Sequence, residues 1–201
     1  IPSPAAVEPF KTAEIRDTVY DNIQLPAVVM GYHTPAQGTT DYYAVQMLTT
    51  LLSKGKSSRM QKAIVDKLQK AVYVGAFPFP LEDPGLALVF VISNMGVAPV
   101  DLEESMNNQF DKVKKELISD SEFQKLRTQI ESDIVSDNTK MVGIAENLAN
   151  YQVYFKDANL INTEINRFMA VTPEDIQKAA QKYLTKENRV VLYYLPKNAK
   201  K

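Results

Sequence analysis

The chain holds no cysteine and a single histidine, His33, in 201 residues. No disulfide can staple it. A structural zinc site, which draws about four nitrogen or sulfur ligands, cannot form within it. Whatever the chain folds into must therefore be held by apolar burial and hydrogen-bonded backbone. It has the means, since 45% of its residues are hydrophobic and 23% charged, ordinary proportions for a globular protein. The same deficit limits chemistry. A catalytic zinc needs about three protein ligands, and cysteine-nucleophile chemistry is excluded outright. The length fits one large domain or two small ones. Net charge is −1, with acids and bases interspersed, so no footprint for nucleic acid or a membrane surface is present. No apolar run is long enough to cross a bilayer. Seven glycines are few for this length and argue against an all-β barrel or a phosphate-cradling fold. The start at Ile1 rather than Met suggests a processed protein or an excised fragment. The compartment stays open between a bacterial envelope and a cytosol.

Hydrophobic spacing divides the chain. Residues 1–12 read as a Pro/Ala-containing linker, 13–196 as a single domain, and 197–201 as a polar tail. Ala13–Asp21 and Pro26–His33 read as strands. After a Thr34–Gly38 loop, Thr39 or Thr40 caps a helix with Asp41 in its first turn. Ala44, Met47, Leu48, Leu51 and Leu52 form its apolar stripe, and Gly55 ends it in a left-handed turn. A second helix spans Ser57–Lys70. Strands Ala71–Phe79 and Leu86–Ile92 follow, the latter a continuous apolar run of the kind buried on both faces. Glu82-Asp83-Pro84-Gly85 between them is turn chemistry. A helix carries Leu102, Met106, Phe110, Val113 and Leu117. Ser119 and Glu122 form a capping box for the next. Two more follow, marked by Ile144–Phe155 and Ile161–Phe168. Thr172-Pro173-Glu174-Asp175 starts the last. Val190–Leu195 is a closing strand. The order predicts an α+β fold, with helices packed on one face of a mainly antiparallel sheet.

Candidate chemistry is sparse. Gly55-Lys56-Ser57 resembles the tail of a phosphate loop, but the upstream Gly position is Thr50 and the segment follows a helix, not a strand. It reads as a helix–helix connector. His33 with Asp41 or Asp21 could form a general-base couple, but no Gly-x-Ser-x-Gly elbow accompanies it, and a surface or edge histidine is the better reading. Glu103-Glu104 and Glu82-Asp83 are sequence neighbours that point to different faces, and read as solvated charges. Pro78-Phe79-Pro80 is a rigid apolar arm. It could touch a peptide or a partner domain, or serve as a sheet edge blunted by proline.

Several segments in order resemble the pitrilysin/mitochondrial-processing-peptidase family of zinc peptidases. They are Leu25–Pro35, Asp41 with its apolar helix, Leu52–Met60, and Lys67–Ala71. Within them Ser57-Ser58-Arg59-Met60 is similar to the family's Ser-Ser-Arg-Leu element. Val171–Ile176 and Ala179–Leu184 resemble its late helix, and Asn188–Pro196 its last strand. The resemblance spans about Ala13 to Pro196. Such proteins pair related domains, of which one holds zinc and the general base through H-x-x-E-H. That motif is absent here. The resemblance therefore implies the non-zinc, C-terminal type of domain, without catalytic or metal-ligating residues of its own, with zinc in a partner domain only. Some such domains lend an Arg and a Tyr to the substrate carbonyl. In the register set here those positions are Val65 and Val72, and a slide by one gives Asp66 and Tyr73, still without the cation. Oxyanion donors are each worth roughly 10²–10³ in rate, so this half of the machinery is also missing. Ser57, Ser58 and Arg59 are assigned structural roles, Arg59 fixing the helix start against neighbouring carbonyls. Tyr73 and Phe79 remain as substrate-contact candidates.

These features imply a catalytically inactive domain of a zinc peptidase. It would help enclose a chamber for unfolded peptides, taken up by strand addition to a sheet edge, and contact the zinc-bearing domain of the same parent chain or of a partner subunit. One alternative is an accessory catalytic domain acting through Tyr73. The other is a scaffold, since the family fold also occurs in core subunits of a respiratory complex. No nucleic acid or membrane partner is expected.

Overall fold

The computed structural model describes residues 9 and 11–199. The linker expected over 1–12 therefore lies almost wholly outside the described residues. Five strands form one sheet: β1 (Ile15–Asp21), β2 (Ala27–Thr34), β3 (Ala71–Phe79), β4 (Gly85–Ser93) and β5 (Arg189–Pro196). Their spatial order is β1-β5-β2-β4-β3. The β2–β4, β2–β5 and β3–β4 pairs are antiparallel, and only β1 runs parallel to its neighbour, β5. The expected α+β class and mainly antiparallel sheet are thus observed.

Side chains alternate across a strand, so each strand divides its residues between two faces. In β2, Val28, Met30 and Tyr32 are sealed from solvent, while Ala27, Val29, Gly31 and His33 are half-buried. The buried set meets the helices. Helix α1 (Thr40–Ser53) lays Ala44, Met47, Leu48, Leu51 and Leu52 into the core, as its spacing requires. The side chain of Thr39 caps it, accepting from the Tyr42 amide at 3.3 Å. Gly55, at φ +79°, turns the chain out of it. Helix α2 (Pro99–Lys115) adds Leu102, Met106, Phe110 and Val113. The Phe110 ring meets Tyr32 edge-on at 6.1 Å. Burial pushes the Tyr32 phenol up to about 12. Helices α3 (Asp120–Asp137), α4 (Met141–Asn150), α5 (Leu160–Met169) and α6 (Pro173–Tyr183) complete the layer. Thr172 and Asp175 form a full capping box on α6.

Three local expectations are corrected. The helix expected over Ser57–Lys70 is wound as a π-helix at Gln61–Lys67 and closes at Gln69, φ +53°. The helix through Phe155 likewise changes to π winding at Tyr151–Phe155, ending in left-handed Lys156. The Ser119 capping box is half made. Ser119 Oγ accepts from the Glu122 amide at 3.3 Å. The Glu122 carboxylate goes instead to Arg59, whose charge outbids a backbone amide.

Candidate functional site

The second face of the sheet is largely apolar and, among the described residues, carries no helix layer. In β4 the odd residues Ala87, Val89 and Val91 are buried, whereas Leu86 is 42% exposed and Leu88, Phe90 and Ile92 are half-buried. Register places Val29 opposite Phe90 on one side and Leu192 on the other, so these residues share one surface. The sequence expectation of a strand buried on both faces is therefore met on one face alone.

Aromatic rings dominate the β3 side of this surface. Phe90 stacks on Tyr73 at 5.4 Å and tilts against Phe77 at 5.3 Å. Gly75, between Tyr73 and Phe77 on β3, makes this possible: a Cβ there would stand 2.7 Å from the Phe90 ring. Tyr73 and Phe77 remain 46% and 43% exposed despite the stacking. Phe79, at the far end of β3, is also exposed.

β3 is an edge strand, and an edge can template another strand. Here it is partly closed. Ser53, at the end of α1, accepts from the Ala76 amide through Oγ at 2.7 Å and donates to the Ala76 carbonyl at 3.3 Å. Pro78, two residues on, has no amide to offer. Of the two readings of the proline arm, the backbone thus favours the blunted edge, while Phe79 beside it still presents an apolar ring.

The Ser57-Ser58-Arg59 element lies on the opposite side of α1's C-terminus. Among the described residues Arg59 donates to no backbone carbonyl but pairs with Glu122 through two bonds of 3.0 and 2.7 Å, tying the π-helical segment to α3. This holds the Glu122 carboxyl below its usual range. Ser57 accepts from Lys125. Ser58 is buried, and its Oγ has no hydrogen-bond partner among the described residues.

Other candidates disperse. His33 sits at the end of the central strand β2, half-buried, rather than on an edge. Asp41 accepts from Lys182 at 2.7 Å and from the Tyr183 hydroxyl at 2.6 Å, and these partners keep its carboxyl ionised. Val65 packs against the core, and Asp66 accepts from Gln61 at 3.0 Å, so no cation joins Tyr73 from either position. Glu82 and Asp83 are exposed in the turn.

Glu103 is not the solvated charge its neighbour Glu104 is. It lies 7% exposed on α2 and accepts from Arg16 at 2.9 and 2.5 Å, from Arg189 at 3.0 Å and from the Tyr193 hydroxyl at 2.5 Å. Arg189 also bonds Asn107 at 2.7 Å and Glu14. The pairing with Arg16 and Tyr193 outweighs burial and holds Glu103 down to about 2. A carboxylate so held cannot carry a proton at neutral pH, and it serves here to rivet β1 and β5 to α2.

No group of three His, Cys, Asp or Glu among the described residues could hold a metal ion. The described residues form an α+β domain with helices on one face of the sheet and an apolar surface on the other. The family model described as peptidase M16 inactive domain matches residues 1–130, and the chain belongs to that family. It is 26% identical over 197 residues to zinc protease PqqE of Helicobacter pylori, a match covering 98% of this chain and 44% of that protein. The crystal structure of a protease from Helicobacter pylori superimposes with a TM-score of 0.90 at 25% identity, over 98% of this chain and 48% of that one. The peptidase M16 inactive domain from Pseudomonas fluorescens shares the fold, with a TM-score of 0.82 at 15% identity over 97% of this chain and 47% of that one. The chain spans less than half the length of these relatives. It is a peptidase-family domain that is not catalytic on its own.

Proposed function

We propose that this chain, with residues 13–196 as one folding unit, is the non-catalytic half of a zinc peptidase. Its apolar sheet face receives the zinc-bearing domain of the same parent chain or of a partner subunit, and the two together enclose a chamber for unfolded peptides. The observation that carries this is β4. Its composition suits burial on both faces, yet only one is covered by helices, and the open face continues across β2 and β5 as Val29 and Leu192. Contiguous apolar surface of this kind marks an interaction site. The relatives are more than twice as long as this chain, which supports a second half as the cover.

The zinc-bearing half supplies the metal and the base in this reading, and the present chain supplies wall and shape. Strand addition at β3 is disfavoured by Ser53 and Pro78, so peptides would meet side chains such as Tyr73 and Phe79 rather than a free backbone edge. The test is reconstitution. Peptide hydrolysis and stoichiometric zinc should be absent from this chain alone and appear when the remainder of its parent protein is added. Turnover by the isolated chain would sink the reading. Tyr73→Phe in the reconstituted protein should leave turnover unchanged within about twofold, because neither Val65 nor Asp66 supplies a cation to complete an oxyanion pair with Tyr73. A larger loss would favour the accessory catalytic role.

A further inference from the structure

The turn joining α1 to the π-helical segment encloses a second feature, independent of the sheet face. A cavity of about 230 Å³ is lined by Lys54, Lys56, Ser57, Ser58 and Lys125, with Glu122 on one wall. The Glu122 charge is already taken by Arg59. Lys54 is paired with Asp133 at the rim. Lys56 has no carboxylate partner among the described residues, and Lys125 is held toward the cavity wall by its bond to Ser57. The walls thus carry an excess of positive charge. Ser58, 5% exposed, is one of the lining residues, and its buried Oγ has no hydrogen-bond partner among the described residues. Buried polar groups are almost always satisfied, and an orphan of this kind costs free energy unless a ligand completes it. The backbone leaves the space clear: Gly55 adopts φ +79°, and a Cβ there would meet nothing within 4 Å.

We propose that this cavity binds a small oxyanion, a phosphate or carboxylate group, with Ser58 donating from its floor and Lys56 and Lys125 supplying charge from its walls. Charge-assisted hydrogen bonds to ionised oxygens are about twice as strong as neutral ones, which suits a site built from two ammonium groups and one hydroxyl. Two sources share that chemistry, a free phosphate and the carboxyl end of a peptide.

The probe is inorganic phosphate, titrated into the 201-residue chain at low ionic strength and followed by amide chemical shifts. Saturable shifts confined to residues 54–58 and 122–129 are expected. Lys125→Met and Lys56→Met, both at exposed positions, should each weaken binding roughly tenfold. Ser58→Ala should weaken it while leaving the melting temperature unchanged or raised, a split that a merely structural hydroxyl would not produce. Competition by a short peptide with a free carboxylate, but not by its amidated form, assigns the site to peptide ends. Failure of both peptides to compete assigns it to phosphate. The proposal is overturned if neither phosphate nor the free-carboxylate peptide binds saturably, or if the lysine variants bind as the parent does.

Discussion

Glu103 shows how far one side chain can depart from its sequence neighbour. Two adjacent glutamates on a helix look equivalent in sequence, yet Glu104 faces solvent while Glu103 accepts from Arg16, Arg189 and Tyr193. Nothing in the local pattern announces this, because the partners lie on β1 and β5, far away along the chain. The consequence is a pH dependence with a definite sign. Glu103 is held at about 2, below the usual 4.5, so its contribution to stability is present above about pH 4.5 and fades as pH falls toward 2. The shift corresponds to at most about 3 kcal/mol, reduced because solvent reaches Arg16. Urea unfolding at pH 7 and near pH 3 should show the loss. Glu103→Gln should cost about 2 kcal/mol at pH 7 and flatten that acid dependence, since the titrating group is gone. An unchanged slope in the variant would mean that other carboxylates carry it. Gly75 poses a steric question on the other face of the sheet. Gly75→Ala would drive a methyl into the Phe90 ring, which Tyr73 and Phe77 already hold in place, and should cost about 1–3 kcal/mol by denaturant titration.

Elements are more legible in the sequence than their partners. The apolar spacing of α1, the start of α6 at Thr172-Pro173 and the strand through Pro26–His33 each follow from local chemistry, and each stands close to where the sequence puts it. The strand order is not readable, because the parallel pairing of β1 with β5 joins segments at opposite ends of the chain. The π winding at Gln61–Lys67 is hidden because its apolar spacing resembles that of a regular helix. The two caps give a comparison at this scale. Thr172 and Asp175 make a reciprocal box on α6, which packs against α1 and α2, whereas Ser119 caps α3 without help from Glu122. Thr172→Ala should therefore cost more than Ser119→Ala, about 1–2 kcal/mol against less than about 1 kcal/mol. For a chain of this size 1 kcal/mol moves the melting temperature by about 2–4 °C. Scanning calorimetry of the two variants decides the order, and equal shifts would remove the reciprocal bond as the cause.

At the scale of the whole molecule, the fold class and the family are both legible in the sequence. One histidine and no cysteine leave few of the usual nitrogen and sulfur ligands for zinc, and the order of motifs points to the family. The open sheet face is not legible. An apolar strand such as Leu86–Ile92 states that both its faces want cover, but not whether the cover comes from the same chain. The helix layer answers for Ala87, Val89 and Val91, and leaves Leu88 and Phe90 to something else. This separates two kinds of substitution. A charge at Val89 falls in the core and should unfold the domain. A charge at Phe90 falls on the half-buried face, where solvent already reaches, and should lower the domain's own stability far less. If the zinc-bearing half docks there, Phe90→Asp leaves a desolvated carboxylate at the interface, and association with that half should weaken by about a hundredfold or more. Leu192→Asp, across β2 from Phe90, should act in the same way. Sedimentation or titration calorimetry with the separated halves measures the association, and circular dichroism confirms that the variants remain folded. Variants that stay folded and still associate with the parent's affinity would place the domain contact elsewhere on the molecule and leave the apolar face to the peptide.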